Sequence, residues 1–165
     1  MSNHTKQIAS FIADLTPEAI SADVRDRTLM MIKDGSAALL AAANPSFSTG
    51  RTIAAHVQAL GGAPKSGVVG HGFKTNAVQA ALANGTMGYA CDIEPHHPEA
   101  ILHPIAIMTP VAMALSELEG SSGADLIAAV AIGCEIEYRV SMAIGPAQQY
   151  ALGFHPSSVC GAFGA

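Results

Sequence analysis

The side chains best suited to chemistry are concentrated between residues 91 and 104, a stretch that several prolines interrupt. Three of the seven histidines lie there within eight residues of one another, and three acids accompany them: His96, His97, His103, Asp92, Glu94 and Glu99. An imidazole near neutral pH can donate and accept protons, and a neighbouring carboxylate can orient it or take a proton itself. This composition predicts general acid–base chemistry on a carboxylate substrate.

A fourth histidine, His155, repeats the arrangement of His103, because each of them directly precedes a proline. Proline fits the first turn of a helix, so both histidines are predicted to lie where a helix begins. The free N–H groups and the helix dipole favour anions at that place. A His-Pro pair is more often a local turn than a catalytic element, and spacing alone does not decide between the two interpretations.

Metal binding is an alternative use of the same side chains, since histidines and carboxylates are common ligands. The spacing of the candidate ligands matches no standard zinc motif, and no metal is expected: Asp92, His96, His97 and His103. The other histidines are predicted to be surface or structural residues: His4, His56 and His71. The glycines at 67, 70 and 72 follow neither a dinucleotide-binding nor a P-loop pattern.

Charge and composition exclude several classes of protein. The chain has 165 residues, of which 50% are hydrophobic, and 13 acids against 8 lysines and arginines give a net charge of −5. Without a basic cluster it is not expected to bind nucleic acid, and with so few charges it is not expected to be disordered. Three separated cysteines predict buried thiols in a reducing, cytoplasmic compartment. Prolines and glutamines break the charge-free stretch 140–165, so no membrane span is expected.

Periodicity and capping residues predict one all-α domain over residues 1–165, a compact bundle of about six to seven helices. The predicted helices cover about 5–14, 22–44, 51–60, 76–89 and 104–119, a long helix capped by Ser122 and Asp125, and one after His155. Pro110 is expected to kink or interrupt its helix. Residues 45–50 are predicted to be a loop, and the glycine-spaced segment 66–73 to be extended without a full strand partner.

The end of the chain is unusually apolar, since residues 140–165 contain no aspartate, glutamate, lysine or arginine. A free terminus is normally polar, so this one is expected to pack under something. Either a second copy covers it, as in a homo-oligomer, or the polypeptide continues, and the second alternative is favoured.

Four motifs follow one another in order along the chain. They are NGTMGYACD at 84–92, the pair His103–Pro104, GCEIEYR at 133–139 and GFHPSS at 153–158. Together they resemble the MmgE/PrpD family, which includes 2-methylcitrate dehydratase, cis-aconitate decarboxylase and iminodisuccinate epimerase. The resemblance runs from the helix around Phe11 to the end of the chain.

This resemblance implies the N-terminal part of an all-α domain, without the family's α+β lid, from a dimeric enzyme that needs no cofactor. At the matching positions it assigns proton transfer and carboxylate binding to Asp92, His103 and His155. Further substrate contacts are expected from His96, His97 and Ser157. Family members usually place an aromatic, two acids and a threonine after the loop aspartate. Here Ile-Glu-Pro-His follows instead, which points away from 2-methylcitrate.

The sequence thus predicts a lyase or isomerase that acts on a small di- or tricarboxylate by histidine–aspartate proton transfer next to a carboxylate. No lysine or arginine lies between Lys74 and Arg139, so the 165-residue chain alone is expected to be nearly inactive. The alternative is a non-catalytic helical assembly module, and a weaker one is a histidine-rich metal site.

Overall fold

The computed structural model describes residues 3–165, and helices dominate them. The elements are α1 (His4–Asp14), α2 (Ala22–Ala42), α3 (Ser48–Leu60), β1 (Ser66–Val68), β2 (Phe73–Thr75), α4 (Ala77–Tyr89), α5 (Ile105–Glu119), α6 (Gly123–Ile144), α7 (Pro146–Ala151) and α8 (Pro156–Gly164), with a 3₁₀ turn at Pro17–Ala19. The all-α prediction is confirmed. The described residues hold eight α-helices, one more than predicted, because the charge-free end folds into both α7 and α8.

Short-range hydrogen bonds fix three helix starts where the sequence predicts them. The side chains of Ser21 and Asn76 each accept a hydrogen bond from an N–H in the first turn of α2 and α4. Ser122 and Asp125 form a reciprocal capping box at the start of α6. Each such cap stabilises its helix by about 1 kcal/mol, so these boundaries are set within a few residues of sequence.

Residues 66–75 form a two-stranded antiparallel hairpin, which corrects the expectation of an extended segment without a full partner. Ser66 pairs with Thr75 and Val68 with Phe73. The side chain of Asn84 on α4 supports the turn, accepting a hydrogen bond from the N–H of Val69 and donating one to the carbonyl of Gly67. The strands are too short and glycine-rich for a periodic signal, and the support comes from a distant helix.

The start of α3 differs from the prediction, and of the kink or interruption expected at Pro110 the interruption does not occur, because packing overrides local signals. Helix α3 begins at Ser48 inside the predicted loop, since Gly50 lets it approach α2: a Cβ there would lie 2.2 Å from the carbonyl oxygen of Ala42. Helix α5 runs through Pro110 without interruption. Pro110 removes one helical hydrogen bond, but it is fully buried, and its helix is fixed on several sides by neighbours.

Three apolar clusters make up the core. The first joins α2, α3, α4 and β1, the second joins α2, α5 and α6, and the third joins the loop before α5 to α8. In the third cluster Ala100 and Leu102 of the loop lie against Cys160 of α8, and all three side chains are removed from water. Burial of apolar area therefore holds the histidine-rich loop against the last helix.

Close helix contacts complete the scaffold. In α4, a Cβ on Gly85 or Gly88 would lie within 3.8 Å of the backbone of Ala106 in α5. In α6, Gly133 approaches Gly164 of α8 more closely, since a Cβ on Gly133 would lie 2.9 Å from the carbonyl oxygen of Gly164. Across residues 3–165, no helix combines the length and apolarity needed to cross a bilayer.

Candidate active site

The loop between α4 and α5 has an irregular backbone at two positions. Asp92 and Ile101 both adopt positive φ angles, 51° and 49°, a region that residues other than glycine rarely occupy. An isolated antiparallel bridge between His97 and Leu102 closes the end of the loop. Such backbone conformations cost about 1–3 kcal/mol each and persist only where surrounding contacts hold them.

The imidazole of His103 lies between two carboxylates. Its Nδ1 atom is 3.1 Å from Oε1 of Glu94, and its Nε2 atom is 3.9 Å from Oδ1 of Asp92. The Glu94 side chain is fully buried, whereas that of Asp92 is 72% exposed. The contact with Glu94 is close but not aligned as a hydrogen bond, and no other described group bonds to either oxygen of Glu94. The Nδ1 edge of the ring thus lies against a buried carboxylate, whereas the Nε2 edge faces an exposed one.

Ser157 connects His103 to His155, although the sequence separates Ser157 from His103 by 54 residues. Its hydroxyl accepts a hydrogen bond of 2.9 Å from the backbone N–H of His103. Its own backbone N–H donates to Nδ1 of His155, which caps helix α8. The two His-Pro pairs are therefore fixed relative to each other through one buried serine.

Tyr89, the last residue of α4, places its ring beside both histidines. Its ring centre is 5.4 Å from that of His103 and 6.3 Å from that of His155, and both contacts are nearly perpendicular. Burial raises the pKa of the Tyr89 phenol, and the negative charges of Asp92 and Glu94 raise it further. The phenol consequently stays protonated and is able to donate a hydrogen bond near both imidazoles.

A largely apolar cavity of about 510 Å³ opens beside these groups, between α4, α5 and α8. Its polar lining comes mainly from Tyr89, His155, Ser157, Ser158 and Thr86. This volume falls in the usual range of small-molecule sites. A small acid held in this cavity would lie next to His155 and the phenol of Tyr89.

The structure thus gathers Asp92, His103 and His155 around Tyr89, but of these three only His155 lines the cavity. It treats the three predicted substrate contacts differently. Ser157 lines the cavity. His96 is exposed, with its ring centre 5.0 Å from that of His103. His97 turns elsewhere: its ring packs 4.2 Å from that of Tyr138, and its Nδ1 accepts the N–H of Ala100.

His96 and His97 line a second cavity of about 550 Å³, which also contacts Arg27, Asp34 and Tyr138. Of these two histidines, His96 lies beside the ring of His103 as well as lining the second cavity. The geometry offers no support for His97 as a contact of a substrate in the first cavity. Its loop-closing hydrogen bond and bridge give it a structural role.

Asp92, Glu94 and His103 are also the described residues that could hold a cation, since their ligand atoms lie within 4.8 Å of one another. This set differs from the alternative set considered from sequence, because Glu94 takes part while His97 is turned away. The two carboxylates approach opposite nitrogens of the ring, and an imidazole binds a metal through one nitrogen.

Three side chains at this site or near it were not singled out from sequence. Tyr89 looked like the end of a helix, Glu94 was one of several loop acids, and Tyr150 lay in an apolar stretch, although its ring is 5.5 Å from that of His155. The position of Tyr89 beside the loop was the one available signal. Nothing local distinguishes Glu94 from Glu99.

Comparison with known proteins agrees with the resemblance seen in the motifs. The family model of the MmgE/PrpD N-terminal domain matches residues 6–165. Cis-aconitate decarboxylase of Aspergillus terreus is 31% identical over 96% of this chain, and the cis-aconitate decarboxylase-like protein oryM of Aspergillus oryzae is 26% identical over the same share. The chain spans about a third of the length of these relatives, 33% and 34%. The chain belongs to the MmgE/PrpD family, and its match is to the N-terminal domain.

Proposed function

We propose that this chain supplies the proton-transfer groups of a lyase that acts on a small di- or tricarboxylate. One observation carries the proposal: His103 lies between two carboxylates and is tied through Ser157 and Tyr89 to His155 at a cavity. Membership of the family supports it, and so does similarity to two proteins named for cis-aconitate decarboxylation. Among dehydration, decarboxylation and epimerisation, those names favour decarboxylation.

In the proposed reaction one carbon–carboxylate bond breaks, carbon dioxide leaves, and the electron pair remains on the carbon next to a double bond. A protonated imidazole, His103 or His155, then gives its proton to the substrate carbon and becomes neutral. Asp92, whose Oδ1 lies 3.9 Å from Nε2 of His103, orients the His103 ring. Dehydration or epimerisation would use the same groups in the opposite sense, to remove a proton next to a carboxylate.

Binding of the substrate carboxylates requires positive charge, and the site has little of it. The sequence between Lys74 and Arg139 contains no lysine or arginine. The imidazole of His155 and the phenol of Tyr89 line the cavity and are able to donate hydrogen bonds, alongside neutral hydroxyls from serine and threonine. We therefore propose that further cations come from outside residues 75–138, and that binding by these groups alone is weak.

An NMR titration of the isotope-labelled protein, followed through the ring signals of its histidines, tests this proposal. During titration with cis-aconitate, the imidazole signals of His103 and His155 should shift together and saturate at one dissociation constant. His56, exposed on α3, serves as the internal reference and should not shift. A titration with acetate at the same ionic strength serves as the control for nonspecific salt effects. Shifts that never saturate, or that are equal at His56, would overturn the proposal.

A matched pair of variants separates binding at this site from binding elsewhere. His155→Ala should weaken cis-aconitate binding at least several-fold, since His155 lines the cavity. His56→Ala removes an exposed histidine and should leave the dissociation constant unchanged. Equal affinity in both variants would place the ligand away from the cavity.

A further inference from the structure

We propose that Glu94 is a positioning residue, which holds neutral His103 in the tautomer that carries its proton on Nδ1. The Nε2 atom is then left free to exchange protons with the substrate. This inference rests on the proposed function only for its catalytic meaning, because the tautomer is a property of the protein without substrate.

The first argument concerns the Nδ1 edge of the ring, which lies against the buried side chain of Glu94. The Glu94 side chain has no exposed surface, and an ionised carboxylate removed from water needs a hydrogen-bond donor. The described residues offer neither of its oxygens an aligned hydrogen bond, yet Nδ1 of His103 lies 3.1 Å from Oε1. The 3.1 Å separation is within the range of an N–H···O hydrogen bond, so an Nδ1–H that turns toward Oε1 donates to it. One hydrogen bond then satisfies Nδ1 of His103 and Oε1 of Glu94, two buried atoms that otherwise have no hydrogen-bond partner among the described residues.

The second argument is the opposite edge of the ring. Nε2 lies toward Asp92, whose side chain is 72% exposed, so this nitrogen is on the side that solvent and ligands reach. A neutral imidazole has one protonated and one free nitrogen, and the hydrogen bond at one of them decides which nitrogen is free. A proton held on Nδ1 by a buried acceptor leaves the accessible nitrogen, Nε2, as the one that gains or loses a proton during the reaction.

The third argument is that the rest of His103 cannot easily turn to exchange the two edges. Its backbone N–H is fixed by Ser157, and its ring is flanked by Tyr89 and His96. The next residue, Pro104, is the N-cap residue of α5 and restricts the backbone of His103. The ring therefore presents the same edge to Glu94, which makes the effect of this single carboxylate persistent.

The test is a long-range nitrogen–proton NMR experiment on the full chain, at a pH where the imidazoles are neutral. Nitrogen shifts distinguish a protonated ring nitrogen from a free one. We expect wild-type His103 to carry its proton on Nδ1. Glu94→Gln keeps an oxygen acceptor and should retain this pattern, whereas Glu94→Leu removes the acceptor and should move both nitrogen shifts toward averaged values. Glu99→Leu, at an exposed acid of the same loop, should change neither.

A proton on Nε2 in the wild type overturns the inference, and so does an unchanged pattern in a folded Glu94→Leu protein. If Glu94→Leu does not fold, the wild type and Glu94→Gln still decide, because the inference requires Nδ1–H in both. A correct tautomer without cis-aconitate binding would leave the inference standing and count against the proposed function alone.

Discussion

Two glutamates are almost wholly buried, Glu94 at 4% exposure and Glu137 at 0%, and their surroundings differ sharply. Glu94 touches an imidazole whose other nitrogen faces the exposed Asp92. Glu137 lies on α6 beside α8, where an added Cβ on Gly161 would come within 3.6 Å of Oε1. No described residue hydrogen-bonds its carboxylate. Burial raises the pKa of Glu137 to about 8.

The groups around Glu137 are also kept neutral. Burial raises the pKa of the Cys134 thiol to about 12, with a further contribution from Glu137, and it raises the pKa values of Tyr138 and Cys160 in the same direction. Near pH 7 this cluster therefore carries little charge. Glu137 has no described hydrogen-bond partner that could accept its proton, whereas Glu94 lies next to an imidazole, which is able to transfer protons. A buried acid is a candidate for chemistry only where such a partner and a route to solvent exist.

The largest difference between the two regions is expected in turnover, measured in variants of each. We expect His103→Ala to lower cis-aconitate decarboxylation by about 100- to 10,000-fold, the usual contribution of a general acid–base. Glu137→Gln should change it by less than a few-fold. The assay uses an enzyme in which residues 6–165 replace the matching segment of the Aspergillus terreus relative. His56→Ala is the matched control, and an active His103→Ala enzyme would contradict the assignment.

The second effect is on stability against pH. The carboxyl of Glu137 loses its proton near pH 4.5 when unfolded but near pH 8 when folded, so between these values the folded chain binds more protons. The unfolding free energy should then decrease as pH rises, by at most about 1.4 kcal/mol per pH unit from this group, and level off above pH 8. Urea denaturation from pH 5 to 8.5 should show this component in the wild type but not in Glu137→Gln.

The exposed neighbour Glu135, which pairs with Arg139, supplies the control for that measurement. Glu135→Gln should leave the pH component in place. A wild-type and a Glu137→Gln profile that run parallel across this range would show that Glu137 is ionised in the folded chain.

The third effect concerns the close contact of α6, the helix that carries Glu137, with α8. Gly133→Ala should reduce the unfolding free energy by about 1–3 kcal/mol, because the new Cβ would lie 2.5 Å from Sδ of Met108 and 2.9 Å from the carbonyl oxygen of Gly164. Gly123→Ala, in the first turn of α6 with open space around it, should be neutral or slightly stabilising. Equal effects at the two glycines would mean that Met108 and α8 both shift to accommodate the added methyl group.

The smallest effect is expected at the link between the two His-Pro pairs. Ser157→Ala removes the acceptor of the His103 N–H and should lower stability by about 1 kcal/mol. Thermal or urea unfolding measures that loss, and the amide signal of His103 should shift in the same variant. Ser158→Ala, which removes an exposed and local hydrogen bond from the hydroxyl to the carbonyl of His155, should have a smaller effect.

Much of the fold was predictable because its signals are short-range. Ser21, Asn76 and Ser122 cap their helices through contacts within three residues, and the predictions there are confirmed. The hairpin was missed because Asn84, on another element, braces its turn. The start of α3 was missed because Gly50, a loop signal in sequence, serves a close helix contact.

For the candidate site, the residue types were readable from the sequence: imidazoles and carboxylates in a proline-broken loop, a second His-Pro pair, and few cations between them. The tertiary structure decided which carboxylate meets which nitrogen. It turned His97 toward Tyr138, buried Glu94 against His103, and joined residues 54 positions apart through Ser157. Residue types fix what a side chain is able to do, but burial and orientation come from packing between distant elements, which no local pattern encodes.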